Sequence, residues 1–561
     1  MKLKYIVTAA LPYANNNIHI GHLSGVYIPS DIFIRNLKIN NIKYIFISGT
    51  DEYGSNILIE SYKKNINVKN IVDNNYKIIK NTLKKFNILL DVFYRTSNKI
   101  HHKVTKKIFN KLLRKNILYK KKNYQLYDKK YNFFLADRYI IGICPYCKYK
   151  YAYLDLCEKC GNFIKEGELL NKISILSKKK PIYKKTINYY INFKITNKII
   201  KKYILLLIKN KNKKIVINSI KFFLKNNISN RCITRDLKWG IKLPNIKNKV
   251  IYVWFEALIA YISSIIYYSK KKKKVYKKII YNKKIKFISF IGKDNIIFHS
   301  ILLPVIYKSY NKKLIIPSNI SANYFLNINN NKISKSNKYN IKIKYFLKYF
   351  PNMEDSLRFT LIMDMPERKD TNFTWKKFKL YNNSILIGVI GNLFKRIITL
   401  LNINCNNKIP IYKKKYINNL DKKILNILKL NFKKINEYII NYKFKKSLLI
   451  YIKLAKIGNK YLSINKPWEL NDKNKINNIL YISLKILEII IKLSYIFLPN
   501  TYKKFLKIFN IKKKKVKIND KIIFSNNKIN YNKNYIFFKK IYNDKFKKIL
   551  NKFNNNDKNY K

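Results

Sequence analysis

The feature that most limits the fold of this chain is a run of strand, helix and strand near its start. Residues 4–9 (K-Y-I-V-T-A) and 43–48 (K-Y-I-F-I-S) are short apolar runs typical of buried strands, and residues 23–37 carry apolar side chains at helical spacing. Residues 286–291 (K-F-I-S-F-I) form a similar run, again followed by a polar turn and an apolar helix. Strands that alternate with helices predict an α/β fold built on a parallel sheet.

The segments outside these strands differ in composition and in the pattern of their apolar residues. Residues 116–250 hold a cysteine cluster, Lys-rich loops and short alternating runs, which we interpret as an insertion that splits the parallel-sheet domain. From about residue 381 the pattern is helical almost throughout, and from about residue 512 it is rich in Lys and Asn with few apolar residues. We expect a helical domain there, followed by a tail that is partly helical or disordered.

The 561 residues include 119 Lys and Arg against 28 Asp and Glu, a formal net charge of +91. Such a charge favours a polyanionic partner. Lys, Asn, Ile and Tyr are all abundant, however, and all are written by A- and T-rich codons, so mutational drift explains most of the bias. No run approaches the roughly 18 uncharged apolar residues of a membrane span, and Pro12 ends the first apolar run too early for a signal peptide. A cytoplasmic protein without membrane attachment is therefore expected.

Four of the six cysteines lie in two C-x-x-C pairs separated by nine residues: Cys144, Cys147, Cys157 and Cys160. Each pair presents two thiolates from one turn, and four thiolates match a closed tetrahedral zinc site. Four unrelated cysteines are the alternative, which the doubled spacing disfavours. We expect one structural Zn²⁺, in a reducing compartment, without an open position for catalysis.

Residues 10–22 read A-L-P-Y-A-N-N-N-I-H-I-G-H. His19 and His22 lie where a strand meets a helix, and the amides at a helix N-terminus favour phosphate. The alternative is that the two histidines only cap and pack the first helical turn. Histidine is scarce in this chain, with five in all, which favours a functional pair.

The H-I-G-H sequence after a first strand resembles the signature of the class I aminoacyl-tRNA synthetases, and the longer L-P-Y-A-N-x-x-I-H-I-G-H resembles the methionyl-tRNA synthetases in particular. The second signature, K-M-S-K-S in most of the family, is K-I-S-K-S at residues 332–336, followed by Asn337 and Lys338 where Arg-Gly or Arg-Asn is usual. Further similar segments occur in the family's order: G-T-D-E-Y-G (49–54), V-W-F-E-A-L-I-A-Y (253–261), I-G-K-D-N-I-I-F-H (291–299), S-L-R-F (356–359), K-D-T-N-F-T-W (369–375), G-N-L-F-K-R (391–396) and N-K-P-W-E-L (465–470). The resemblance covers roughly residues 1–500.

The resemblance implies activation of L-methionine by ATP, release of pyrophosphate, and transfer of the methionyl group to the 3′ end of tRNA(Met). The reaction needs positioning and charge neutralisation more than a protein nucleophile. Mg²⁺ is expected on the phosphates, and the lysines of K-I-S-K-S would arrive on a mobile loop. The implied catalytic residues are His19, His22, Lys332 and Lys335. The implied ATP-binding residues are His19, His22, Gly292, Asp294 and Lys335.

The resemblance also implies where the two other substrates bind. Asp51 would pair with the ammonium group of methionine, and the thioether would be surrounded by Leu11, Tyr13, Trp254, Ala257, Leu258, Tyr261 and His299. Sulfur–ring contacts suit such a slot; without the resemblance, Trp254 and Tyr261 would be interpreted as core aromatics. The anticodon would be read by Asn392, Arg396 and Trp468. Trp468 follows Pro467 at a predicted helix start, and a packing role is its alternative.

The implied architecture is an α/β class I fold in five parts. They are a Rossmann-like catalytic domain (1–115 and 251–325), a connective insertion with a zinc knuckle (116–250), a stem-contact segment with the K-I-S-K-S loop (326–385), a helical anticodon-binding domain (386–510) and a Lys/Asn-rich tail (511–561). Some family members add a C-terminal tRNA-binding and dimerisation barrel. Nothing like it is visible after about residue 510, so a monomer is expected.

Four classes of protein are alternatives to a methionine enzyme. The leucine, isoleucine and valine enzymes carry a much larger editing insertion, and the cysteine enzyme uses scattered zinc ligands. A relative that binds tRNA without activating an amino acid would have lost its signature residues. A general basic RNA-binding protein would not need the ordered set of pocket motifs.

Overall fold

The computed structural model describes residues 3–135, 139–154, 157, 160, 164, 167–225, 230–243, 246, 249–332, 341–509 and 537–558. The strands are β1 (Tyr5–Ala9), β2 (Tyr44–Thr50), β3 (Val92–Arg95), β4 (Leu118–Asp128), β5 (Phe133–Phe134), β6 (Ile140–Ile143), β7 (Ala152–Tyr153), β8 (Leu170–Ser174), β9 (Ile182–Ile191), β10 (Arg231–Cys232), β11 (Thr234–Arg235), β12 (Ile241–Lys242), β13 (Val250–Ile251), β14 (Lys286–Gly292), β15 (Asn319–Asn323), β16 (Leu326–Ile328), β17 (Asn331–Lys332) and β18 (Thr371–Phe373).

The α-helices are α1 (Ile20–His22), α2 (Ile28–Ile39), α3 (Ser55–Lys64), α4 (Val68–Lys85), α5 (Lys99–Arg114), α6 (Phe193–Lys209), α7 (Lys214–Lys225), α8 (Val253–Lys271), α9 (Lys277–Ile280), α10 (Leu303–Tyr310), α11 (Ile343–Tyr349), α12 (Glu354–Met363), α13 (Trp375–Leu380), α14 (Asn392–Cys405), α15 (Asn419–Ile440), α16 (Phe444–Asn465), α17 (Lys473–Phe497), α18 (Pro499–Ile508) and α19 (Asn543–Lys558). Stretches of π-helix at Leu23–Tyr27, Phe298–Leu302 and Tyr381–Gly391 precede α2, α10 and α14, and 3₁₀ turns lie at Lys293–Asn295 and Lys414–Tyr416.

The predicted parallel sheet is confirmed. In the described part of the chain it has the order β15–β14–β1–β2–β3, with every neighbouring pair parallel. Its strands are rich in Ile, Val and Phe and buried, as expected of a sheet covered on both faces. The chain leaves β1 towards β2 on one side and returns to β14 on the other. The carboxyl ends of β1 and β14 therefore flank a topological switch point, where α/β sheets bind ligands.

The chain between α5 and α8 is built differently, from antiparallel strands and two helices. β9 pairs with β4 along its whole length, from Leu118↔Ile191 to Tyr127↔Ile182, and smaller sheets have the orders β7–β6–β8 and β11–β13–β12. The first cysteine pair follows β6, and the second follows β7. This agrees with an insertion of different composition and strand arrangement that interrupts the parallel sheet between β3 and β14.

Helices make up most of the chain after β18. Helices α14 to α17 pack against one another through a core of Ile, Leu and Phe. The continuous helical stretch Trp375–Cys405 is long and apolar enough to cross a membrane, with a mean hydropathy of 1.7 over its best window, of which 44% is buried. It is not the uncharged run that the sequence analysis excluded, because it contains Lys395 and Arg396. A core helix of a globular bundle passes the same test, so this one is weak evidence for a span.

The tail contributes a helix, α19, which packs against the rest of the protein. The ring of Phe546 lies 6.0 Å from that of Phe350 and 6.3 Å from that of Trp375. Asn383 fixes the preceding backbone, because its Nδ2 donates to the carbonyl of Ile541 and its Oδ1 accepts from the amide of Ile541. The described part of the tail is thus ordered by tertiary contacts.

A buried ionic cluster joins the parallel-sheet region to the helix bundle. Asp31 on α2 accepts from Arg35 Nε at 2.7 Å and forms an ion pair with Arg358 Nη2 at 2.6 Å. The same guanidinium groups donate to carbonyls of the last turn of α17: Arg35 to Tyr495, and Arg358 to Ile496 and Phe497. Positive charge at a helix C-terminus is stabilising, and here the Asp31 carboxylate forms ion pairs with both arginines.

Candidate active site

His19 and His22 lie beside each other just beyond the carboxyl end of β1. The backbone amide of Gly21 donates to His19 Nδ1 at 3.1 Å, and the amide of His19 donates to His22 Nδ1 at 3.2 Å. The two ring centroids are 3.9 Å apart. Each imidazole thus satisfies a backbone N–H of the first helical turn and is held in one orientation. The pair both caps the helix and stands at the switch point of the sheet.

The turn after β2 carries Asp51, which is 5% exposed. Its backbone amide donates to the carbonyl of Pro12, and its carbonyl accepts from the amide of Ala14, so the Asp51 turn is tied to the loop after β1. Gly54 closes the turn with φ of +105°, a conformation that side chains disfavour. Burial raises the pKa of Asp51 well above its usual value. A cation that reached this carboxylate would restore its charged form.

Glu52, the next residue, anchors the same turn. Its Oε1 accepts from Arg95 Nε at 2.7 Å and from Thr50 Oγ1 at 2.8 Å. Its carbonyl accepts from Trp239 Nε1 at 2.7 Å, which brings the insertion into contact with the turn. The Glu52 carboxylate is therefore paired and buried, whereas that of its neighbour Asp51 has no salt bridge among the described residues.

The predicted methionine-binding residues meet beside Asp51. Trp254 Nε1 donates to the hydroxyl of Tyr13 at 2.9 Å, and the Trp254 ring lies 4.6 Å from that of Phe298. Leu258 and Tyr261 are buried one and two turns further along α8, in a core cluster against which Leu11, Tyr13, Trp254 and Ala257 pack. The structure thus brings together an aromatic wall, aliphatic side chains and one buried carboxylate.

His299 closes the far side of this pocket and is 4% exposed. Burial lowers its pKa to about 4, so the imidazole is neutral near pH 7. Its Nδ1 lies 3.1 Å from the carbonyl oxygen of Asn295, which can only accept, so Nδ1 carries the proton. His299 Nε2 must then accept from the hydroxyl of Tyr261, 2.8 Å away. This bond fixes the position of the Tyr261 ring.

Gly292 and Asp294 lie at the carboxyl end of β14, across the switch point from His19. A side chain at Gly292 would meet Asp294 Oδ1, which lies 2.5 Å from the position of a Cβ, so a larger residue would displace the Asp294 carboxylate. Asp294 is exposed. Lys293 bonds Asp370 at 2.8 Å and lies 4.2 Å from the Phe325 ring, which ties this turn to the segment before β18.

The K-I-S-K-S motif falls largely outside the described residues. These omit residues 333–340, which include Lys335. Of Lys332 they give only the backbone, which lies in β17 and pairs with Asn327 of β16. Beyond the gap, Lys342 pairs with His19 in an isolated bridge. The chain that follows the motif therefore meets the H-I-G-H segment.

Two neighbouring histidines on α5 were missed by sequence reasoning. His101 Nε2 lies 2.6 Å from Glu256 Oε2 on α8, and His102 Nε2 lies 2.6 Å from the hydroxyl of Tyr53. Burial lowers the pKa of His101 to about 3 and that of His102 to about 4. The scarcity of histidine was the available signal, because both belong to the five in the chain and both contact elements of this site.

The four predicted zinc ligands converge. Their Sγ atoms all lie within 4.8 Å of one another, with 3.8 Å between Cys144 and Cys160 and 3.6 Å between Cys147 and Cys157. Four sulfurs at about 2.3 Å from a tetrahedral zinc lie about 3.8 Å apart, so the donor set fits this ion. Lys148 turns the first knuckle with φ of +57°.

The three predicted anticodon residues also meet, on the surface of the helix bundle. Arg396 Nη1 donates to the carbonyl of Asn459 at 3.1 Å, and Asn392 Nδ2 donates to the side chain of the same residue at 3.0 Å. The Arg396 guanidinium lies 5.4 Å from the Trp468 ring, which is 52% exposed. The prediction that Trp468 begins a helix was wrong: it lies between α16 and α17, and Asp472 caps α17.

Comparisons with known proteins agree with this geometry. Residues 5–398 match the family described as tRNA synthetases class I (M). The methionine–tRNA ligase of Flavobacterium psychrophilum is 36% identical over 515 residues, 91% of this chain and 75% of that protein. That of Cytophaga hutchinsonii is 37% identical over 520 residues, with the same coverage of both chains.

Among solved structures, the Mycobacterium tuberculosis methionyl-tRNA synthetase in complex with methionyl-adenylate has a TM-score of 0.74. The match is 19% identical and covers 91% of this chain and 94% of that one, so it concerns the fold. Because the family match spans most of the chain, and relatives share more than a third of their aligned residues with it, the chain belongs to the class I methionyl-tRNA synthetase family.

Proposed function

We propose that this protein is a methionine–tRNA ligase. It activates L-methionine with ATP to methionyl-adenylate, releases pyrophosphate, and transfers the methionyl group to the 3′ end of tRNA(Met). The observation that carries the proposal is the juxtaposition of a buried carboxylate, without a salt bridge among the described residues, and an aromatic pocket with the H-I-G-H helix start at the switch point of the sheet. The family membership supports the same reaction.

In the first step the methionine carboxylate attacks the α-phosphorus of ATP. The proposed role of His19 and His22 is to contact the phosphates, since they stand where β1 and the amides of a helix start meet. Asp294 is proposed to bind the ribose from the other side of the switch point. Lys332 and Lys335 are proposed to neutralise the leaving pyrophosphate, with Mg²⁺ bound to the phosphates.

Methionine is proposed to place its ammonium at Asp51 and its thioether between Trp254 and Tyr261. The burial of Asp51 supports this role, because a buried carboxylate that has no salt bridge among the described residues favours an incoming cation. The neutral His299 and its bond to Tyr261 support an apolar slot, since the side chain of methionine has no charge to match.

The zinc ion is proposed to be structural and held by the four cysteines. Bound zinc would fix the two knuckles of the insertion, whose Trp239 contacts the Asp51 turn. Asn392, Arg396 and Trp468 are proposed to read the anticodon, by stacking and by amide and guanidinium hydrogen bonds. The five-part layout of the sequence analysis, a monomer and a cytoplasmic location remain parts of this proposal.

The experiment that tests the function is exchange of labelled pyrophosphate into ATP, with each of the twenty amino acids and without tRNA. Exchange with methionine alone is the expected result. Exchange with another amino acid would refute the substrate. No exchange from folded, zinc-loaded protein would favour a relative that binds tRNA without activating an amino acid.

A further inference from the structure

Helix α8 contacts different parts of the protein on two opposite faces. Trp254, Ala257 and Tyr261 recur at helical spacing on the face towards the methionine pocket. Glu256 and Ser263, two turns apart, lie on the opposite face and contact His101 of α5. The side chains of Glu256, Ser263 and His101 are all buried, and no step of the proposed reaction uses them.

One hydrogen-bond arrangement satisfies the bonded atoms of this group without any charge. In it, Ser263 Oγ donates its only proton to the carbonyl of Ile259, 3.3 Å away. It therefore accepts from His101 Nδ1, 2.9 Å away. A neutral imidazole protonated at Nδ1 has an acceptor at Nε2, and Glu256 Oε2 lies 2.6 Å from that atom. The proton between them consequently belongs to Glu256.

An ionised Glu256 would be poorly compensated. Its Oε1 is buried and has no hydrogen-bond partner within the described part of the chain. The titratable groups facing it are His101 on α5 and Asp51, Glu52 and Tyr53 after β2, and the nearby Arg95 is bonded to Glu52 and Asp73. A buried ion without a cation is far more costly than one unsatisfied neutral oxygen. Burial also raises the pKa of Glu256 well above its usual value, which favours the same protonated form.

We propose that Glu256 and His101 form a neutral pair that shares one proton and positions α8, so that among the described residues Asp51 alone offers an unpaired negative charge to the substrate's ammonium. The pair does not touch the substrate. If Glu256 were charged, its repulsion would favour the protonated form of Asp51 and weaken ammonium binding. The proposal rests on the assignment of Asp51 to the ammonium group.

Glu256→Gln tests the proton directly, because the amide keeps the size of the side chain and donates to His101 Nε2 without titrating. We expect a methionine KM within about twofold of the wild-type value, and the same pH profile between about pH 6 and pH 9. The unfolding midpoint of the variant should rise relative to wild type over that range. A carboxyl whose folded pKa is raised loses its stabilising contribution as pH rises through that pKa, and an amide does not.

Glu256→Met tests positioning, because it removes the donor and keeps the length. We expect the methionine KM to rise about tenfold with the KM for ATP unchanged, and Glu256→Gln to restore it. A wild-type methionine KM in Glu256→Met would overturn the positioning role. A tenfold rise in the methionine KM of Glu256→Gln would overturn the neutral pair. An unfolding midpoint of that variant lowered equally at both ends of the pH range would do the same. The unfolding comparison needs no activity, so it still decides the proton if wild type shows no methionine-dependent exchange and the function itself is refuted.

Discussion

Asp51→Asn should abolish efficient use of methionine while making the substrate-free protein more stable. The carboxylate is 5% exposed and has no salt bridge among the described residues, so in the proposed complex the ammonium would be its cation. Removing one partner of a buried charge pair costs about 3–5 kcal/mol. At about 1.4 kcal/mol for each factor of ten, the kcat/KM for methionine should fall by roughly 10²- to 10³-fold, since asparagine keeps the shape and an acceptor oxygen. The KM for ATP should stay within about twofold.

The gain in stability follows from the same burial. The folded-state pKa of Asp51 is raised, so this carboxyl stabilises the fold at low pH and loses that contribution as pH rises through the raised pKa. Asparagine never ionises, and the variant should therefore unfold at a higher temperature than wild type at about pH 8. Below the unfolded-state pKa of about 4 the difference should vanish.

The assay is pyrophosphate exchange across a series of methionine concentrations, paired with thermal unfolding at both pH values. Asp472→Asn is the matched control: it makes the same chemical change at the N-cap of α17, where asparagine caps equally well. An Asp51→Asn variant with a wild-type methionine KM would refute the ammonium site. A variant destabilised at about pH 8 would instead make the carboxylate a structural group.

Three further changes address the other parts of the site. His19→Ala should lower kcat for exchange by at least about 10²-fold with little change in methionine affinity, because a phosphate contact of the transition state is lost; unchanged exchange would exclude the role. Cys157→Ser should release zinc and destabilise the insertion, and full metal content by elemental analysis would contradict the ligand set. Trp468→Ala should raise the KM for tRNA about tenfold or more and leave exchange without tRNA unchanged, whereas equal loss in both assays would indicate a packing role.

Features that depend on local sequence were predictable. β1 and β2 follow from short apolar runs, and the doubled C-x-x-C predicted a four-sulfur cluster before any geometry was known. The anchoring contacts were not predictable in this way. Glu52 meets Arg95 across 43 residues and His101 meets Glu256 across 155, and such pairs leave no periodic trace in one sequence.

The errors of the sequence analysis have physical causes. Pro467 suits the first turn of a helix, but α17 begins only at Lys473, where Asp472 provides a cap that proline lacks. The apolar stretch Trp375–Cys405 was missed because Lys395 and Arg396 interrupt its uncharged run.

The ionic cluster around Asp31 limits how far this chain can be shortened towards a minimal catalytic fragment. A fragment that ends before α17 keeps Arg35 and Arg358 but loses the carbonyl oxygens of Tyr495, Ile496 and Phe497 that accept their protons. Each buried N–H left without its acceptor costs about 1–3 kcal/mol, a large share of the roughly 5–15 kcal/mol that stabilises a typical fold. We therefore expect the sheet and the bundle to unfold as one cooperative unit, and separating them by truncation should yield aggregating fragments rather than a smaller enzyme.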